Sequence, residues 1–254
     1  MSNFVLFNLD DKVGEIVLNR PQAGNSISPE VIQDFCTAID AAISSQARTF
    51  LVRAEGDNFS FGGDVHHLIS SGDKLSSELN AMANATHSGL IKLYNSRQPI
   101  VCAAQGNIIG GGLGISLCSD FLLIADNAKL STGYSRLGLS ADAGVSYFLT
   151  QAVGRRRANA LLISSKFISA QEAVDFGIAE SQHASDALLQ NARVMAKQLS
   201  AGSNDAFMAI RDLTTAALKN DYASHLAMET DKIVDLAKAP GKAQEIAAAL
   251  SKKK

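Results

Sequence analysis

The stretch Gly106-Asn107-Ile108-Ile109-Gly110-Gly111-Gly112-Leu113-Gly114-Ile115 decides how the chain is read. It follows an apolar run, Ile100 to Ala103, with the composition of a buried strand, and leads into a helix that begins within Gly111 to Leu117. Glycine disfavours a helix by about 1 kcal/mol per residue, so three in succession at a helix start have a reason. One is close packing of helix on strand. The other is access, because the first amides of a helix are unpaired and favour negative charge in front of them. The stretch is not a phosphate loop, since no Gly-Lys-Ser/Thr follows, and its spacing is not the dinucleotide-binding fingerprint.

Outward from this point the chain alternates. Toward the N-terminus, Phe4 to Asn8 and Val13 to Asn19 read as paired strands. Ser28-Pro29-Glu30 opens a helix that carries Val31, Ile32, Phe35, Ile39 and Ile43 at helical spacing. Thr49 to Ala54 is a further strand, and Leu75 to Arg97 is a long helix closed by Gln98-Pro99. A loop is expected between Ala103 and Gly110, and Phe121 to Ala125 is another buried strand. This order argues for α/β layering. After about residue 185 strands give way to helices over Ala206 to Leu218, Tyr222 to Leu236 and Gln244 to Leu250.

Composition narrows the function. Of 254 residues, 46% are hydrophobic and 19% charged, as in a globular protein, and a net charge of -2 argues against nucleic-acid or membrane-surface binding. The basic runs Arg155-Arg156-Arg157 and Lys252-Lys253-Lys254 are short enough to be solvated patches or anion contacts. Cys36, Cys102 and Cys118 have no metal-ligand spacing and read as reduced thiols. No N-terminal signal segment is evident, and the apolar region from Ile100 to Ala125 is too interrupted to span a membrane. A cytoplasmic location is expected.

Two further segments carry chemistry. Asn58-Phe59-Ser60-Phe61-Gly62-Gly63-Asp64 follows a strand, and its glycines either make an ordinary turn or bring an amide close to a ligand. In Tyr134-Ser135-Arg136-Leu137-Gly138-Leu139-Ser140-Ala141-Asp142-Ala143-Gly144, Asp142 lies just before an apolar helical segment, as a helix cap or as a catalyst.

In order and spacing these pieces resemble the crotonase, or enoyl-CoA hydratase/isomerase, family over essentially the whole chain. The resemblance rests on Asn19-Arg20-Pro21, Phe59 to Asp64, Pro99 to Gly112, Cys118-Ser119-Asp120, Leu137-Gly138-Leu139, Val153-Gly154-Arg155, and Ile168 to Gly177. It implies a crotonase-like spiral of ββα units over residues 1–190, with a C-terminal α-helical oligomerisation region over 191–254 that forms trimers or hexamers. It also implies an oxyanion hole made by the amides of Gly63 and Gly111, which stabilise an enolate formed from an acyl-CoA thioester. Phe61, Asp64, His66, Gly112 and Tyr134 fall where relatives bind substrate, and Lys252 to Lys254 fall near a neighbour's CoA phosphates. For His66 and His67 a surface-helix reading is the favoured one. No metal or redox cofactor is implied, because CoA is part of the substrate.

The chain departs from the hydratases of that family at two positions. Their paired glutamates correspond here to Gly114 and Tyr134, and a glycine and a phenol are poor at activating water. The string around Asp142 looks like that of the Δ3,Δ2-enoyl-CoA isomerases and the ring-epoxide isomerases of phenylacetate breakdown, which keep a lone acid there. The expected activity is therefore a double-bond shift with Asp142 as proton shuttle. The alternatives are a hydratase with non-standard water activation and a silent acyl-CoA-binding subunit. Dehalogenation ranks below these, because the tryptophan that supports it in relatives is replaced by Tyr134 and the chain has no Trp.

Overall fold

The computed structural model describes residues 3–251; Lys252 to Lys254 lie outside them. The chain divides into two compact units after Gly202. In the first, β1 (Val5–Asp10) and β2 (Val13–Leu18) form an antiparallel pair, and β3 (Thr49–Ala54), β4 (Ile100–Ala104), β6 (Phe121–Ala125) and β9 (Ser181–His183) add in parallel. The strand order is β1-β2-β3-β4-β6-β9. A smaller sheet joins β5 (Asn107–Ile109), β7 (Lys129–Ser131) and β8 (Ile168–Ser169) in the order β5-β7-β8. Successive turns of chain give one strand to each sheet and then a helix: β4-β5 with α4 (Gly111–Leu117), then β6-β7 with α5 (Val145–Ser164). This is the ββα spiral that the sequence led us to expect.

The loop expected before Gly110 is in fact strand β5. Three residues are too few to show a period. They become a strand through pairing with Lys129–Ser131 and a bridge from Ile108 to Ser60.

Both faces of the large sheet are covered, which is why its parallel strands read as unbroken apolar runs. Phe50, Val52, Ile100, Cys102, Leu122 and Ile124 face one core with α1 (Pro29–Ser44) and α3 (Leu75–Tyr94). The intervening Leu51, Val101, Ala103, Leu123 and Ala125 face the other, covered by Leu188, Ala192 and Ala196 of α7 (Leu188–Ser200). The boundary expected at residue 190 falls inside this helix, which belongs to the first unit. The three cysteines are free, and burial pushes the Cys102 thiol far up. In the second unit α8 (Asn204–Ala216) packs on α9 (Tyr222–Ala237), followed by α10 (Lys242–Ser251). Among the described residues no helix is long and apolar enough to cross a membrane, and no cluster could hold a metal ion.

Glu15 locks α7 to the sheet. Its buried carboxylate accepts from Arg53 Nε (2.8 Å) and from Arg193 Nε (2.7 Å) and Nη2 (3.1 Å). Burial opposes the charge, but the bonds from Arg193 and Arg53 outweigh it and hold the carboxyl below its ordinary range. A depressed folded-state value stabilises the fold above the unfolded value of about 4.3 and is lost as pH falls through the folded one. Thermal midpoints are therefore expected to drop in acid, and Glu15→Gln should flatten part of that drop. Parallel wild-type and variant profiles would contradict this.

Candidate active site

The first glycine loop is built by side chains upstream of it. Asn25 Nδ2 donates to Glu55 O (3.0 Å) and Asn58 O (2.8 Å), and Ser60 Oγ donates to Asn25 O (2.8 Å). Arg20 Nη1 meets Asp64 Oδ2 at 2.7 Å, while Asp64 Oδ1 accepts the His67 amide at 3.2 Å and so caps α2 (Val65–Ser70). Ile27 then pairs with the loop on either side of Gly63: its amide donates to Gly62 O (2.8 Å), and its carbonyl accepts the Asp64 amide (2.9 Å). In such a parallel bridge the amide of the middle residue, Gly63, points away from the partner.

The second loop abuts the first. Ser60 exchanges bonds with Asn107 O (3.0 Å) and the Ile109 amide (2.9 Å), and Asn58 Oδ1 accepts from Asn107 Nδ2 at 2.7 Å. Gly62 has φ +79°, and a methyl there would lie 2.8 Å from Ile109 O and 3.3 Å from Gly111 N, so only glycine allows this approach. Gly111 is the first residue of α4, where an amide has no partner within its own helix. Gly63 and Gly111 line one cleft of about 420 Å³, with mostly apolar walls from Ile27, Leu68, Leu79, Met82 and Ile109.

Asp142 enters the same cleft. It does not cap α5: the residue flanking that helix is Gly144, with no side-chain bond. Instead Asp142 O accepts the Val145 amide at 3.0 Å, and Ala143 (φ +49°) and Gly144 (φ +76°) form the centre of a tight turn. The left-handed conformation at Ala143 costs about 1–2 kcal/mol and needs support. The support is visible: the Ala143 amide donates to His87 Nε2 at 3.1 Å, and Ala143, 1% exposed, seats directly on Gly114. A methyl on Gly114 would collide with Ala143 O and lie 2.7 Å from its Cβ. The position where the resemblance places a hydratase glutamate is thus filled by the turn that carries Asp142.

Tyr134 lines the cleft and donates its phenol to Asp142 Oδ1 at 2.6 Å. Burial, then the neighbouring Asp142 charge and the hydrogen bond, push the phenol far above its ordinary value, so it stays protonated. It fixes one carboxylate oxygen, Oδ1. A hydrogen bond to a charged group contributes about 1.5–3 kcal/mol, and 1.4 kcal/mol is tenfold. Tyr134→Phe is therefore expected to lower turnover about ten- to a hundredfold; unchanged steady-state turnover would exclude the role.

The remaining site expectations divide. Phe61 is 43% exposed and lines the cleft. Asp64 does not line it, because its oxygens hold Arg20 and the α2 cap. Gly112 does not either: a methyl there would meet Ser60 Cβ, and Oγ at 2.7 Å, so it is a packing glycine. His66 is exposed on α2 outside the cleft lining, and His67 pairs with Glu78 at 2.8 Å. Two residues escaped sequence reading. Arg136 lies over the Phe167 ring at 5.1 Å, both at the cleft, and His87 reaches the Asp142 turn. A lone arginine or histidine without periodic context carries no sequence signal.

Two open amides and a carboxylate around one apolar cleft define an enzyme site that can polarise a carbonyl and move a proton. The chain belongs to the enoyl-CoA hydratase/isomerase family, whose model matches residues 8–247. It is 31% identical to the enoyl-CoA hydratase/isomerase YhaR of Bacillus subtilis, covering 72% of this chain and 71% of that protein. It is 26% identical to the trans-2-decenoyl-[acyl-carrier-protein] isomerase of Streptococcus mutans, covering 82% and 80%. The structure superposes on an enoyl-CoA hydratase/isomerase from Mycobacterium abscessus with a TM-score of 0.93 at 25% identity, covering 98% and 96%. On an enoyl-CoA hydratase from Polaromonas sp. JS666 the TM-score is 0.91 at 27% identity, covering 98% and 97%.

Proposed function

We propose that the protein is an acyl-CoA isomerase that shifts a double bond from the Δ3 to the Δ2 position of an enoyl thioester, or of a related ring-derived CoA ester. The observation that carries this reading is the Asp142 carboxylate in the cleft of Gly63 and Gly111, with the place of a second carboxylate occupied by its own turn. The thioester oxygen sits before the Gly63 and Gly111 amides. Asp142 Oδ2 takes a proton from C2; the C–H electrons delocalise over C2 to C4 and the thioester oxygen; the amides meet that charge. The same acid returns the proton at C4, so no water or redox partner enters.

Each fixed donor to such an oxyanion contributes about 3–4 kcal/mol. Hydration in the family pairs two carboxylates, and here a glycine and a phenol held protonated stand in their places, which leaves Asp142 as a single acid–base group. A silent binding subunit has no need of a strained turn aimed at the thioester. The isomerase named among the relatives supports the same reaction class. The exposed apolar side chains Ile210, Leu226 and Ile233 of α8 and α9 support assembly into trimers or hexamers through the helical region. The test is conversion of a 3-enoyl-CoA to its conjugated isomer, followed by the rise in enoyl-thioester absorbance, alongside crotonyl-CoA with water. Hydration without isomerisation would overturn the proposal.

A further inference from the structure

We propose that His87 is a positioning residue for proton transfer: through Nε2 it holds the Asp142–Ala143 peptide group and so sets the direction of the Asp142 carboxylate. This rests on the reading of Asp142 as the proton shuttle.

That peptide group is held at both ends. Its carbonyl, Asp142 O, accepts the Val145 amide at 3.0 Å, and its N–H, on Ala143, donates to His87 Nε2 at 3.1 Å. An amide can only donate, so Nε2 presents its lone pair and the ring is neutral with its proton on Nδ1. The Cα of Asp142 lies in that peptide plane, so holding the plane holds the point from which the side chain departs. The Tyr134 phenol then fixes the carboxylate at Oδ1.

The arrangement does not form by default. Ala143 has φ +49°, a conformation that L side chains rarely adopt, and it is buried against Gly114. Without an acceptor its amide would be buried unpaired and the turn would relax away from this geometry. His87 itself is absent from the cleft lining, so it acts through the backbone and does not touch substrate. Its neighbours on α3, Met82, Ala83 and Thr86, do line the cleft. One helix therefore shapes the acyl wall and aims the acid.

The experiment compares His87→Leu, which fills the space without an acceptor, with His87→Gln, whose amide oxygen can occupy the place of Nε2. Asp142→Asn is measured in parallel with a 3-enoyl-CoA. His87→Leu is expected to lower kcat about ten- to a hundredfold with KM within about twofold, since small misplacements of a reacting group have effects of this size. His87→Gln should recover most of the loss. Should Asp142→Asn keep its turnover, the isomerase reading itself fails. Should Asp142→Asn be inactive while His87→Leu turns over like wild type, or His87→Gln give no recovery, the positioning role fails alone. Nitrogen-15 NMR of the wild-type imidazole decides the matter even if the leucine variant does not fold: a proton on Nδ1 is expected, and a proton on Nε2 would overturn the proposal.

Discussion

Asp142→Asn is expected to lower the rate of double-bond isomerisation by about 10³- to 10⁴-fold while leaving affinity for the CoA ester within a few-fold of wild type. General acid–base groups contribute about 10²- to 10⁴-fold, and the upper range applies because one carboxylate both removes and returns the proton. Asparagine keeps the size of the side chain and can still accept from the Tyr134 phenol through its amide oxygen, so the turn and the Gly63 and Gly111 amides should be undisturbed. The loss should fall on kcat, because the interaction removed exists in the transition state and not in the bound substrate. Steady-state isomerisation and binding of a saturated acyl-CoA, measured together, check it. Turnover within tenfold of wild type would mean that another group moves the proton.

The second large effect is expected from a single methyl. Gly114→Ala should lower kcat about a hundredfold or more and destabilise the fold by about 1–3 kcal/mol, the usual range for overpacking. The added carbon collides with Ala143 O and lies 2.7 Å from Ala143 Cβ, so helix or turn must move. The turn is the weaker partner, because its Ala143 is already in a left-handed conformation and α4 is buried along its whole length. A shift near 1 Å at Asp142 is enough for a hundredfold loss. The same geometry predicts that Gly114→Glu, which restores the residue type of the hydratases, yields no hydratase. Its carboxylate has no space while the Asp142 turn is seated there. Kinetics with 3-enoyl-CoA, water addition to crotonyl-CoA and thermal midpoints together test this; a hydrating Gly114→Glu enzyme would refute it.

Gly114 also shows where sequence reading stops. From the chain alone the glycine is a missing carboxylate, and the inference from it is that simple hydration is disfavoured. In the structure it is a seat, and the absence of a side chain there is what lets Asp142 reach the cleft. The glycine triplet behaves the same way. Packing and oxyanion binding are both open for it on sequence, and the three glycines differ in place: Gly111 lines the cleft while Gly112 packs on Ser60. Neighbouring glycines cannot be told apart by composition, because what separates them is which way each backbone group points.

What was determined by the sequence alone is the layered α/β core, through unbroken apolar strands that only a sheet covered on both faces explains, and the two glycine loops that follow them. Tertiary structure alone decided where the candidate residues lie. Asp142 left the helix cap for the cleft, Asp64 and Gly112 left the site for the scaffold, and His87 joined the turn from a distant helix. The physical reason is range. Hydrophobic period and turn chemistry act between residues close in the chain, whereas the direction of a carboxylate is set by hydrogen bonds from segments that meet only after folding.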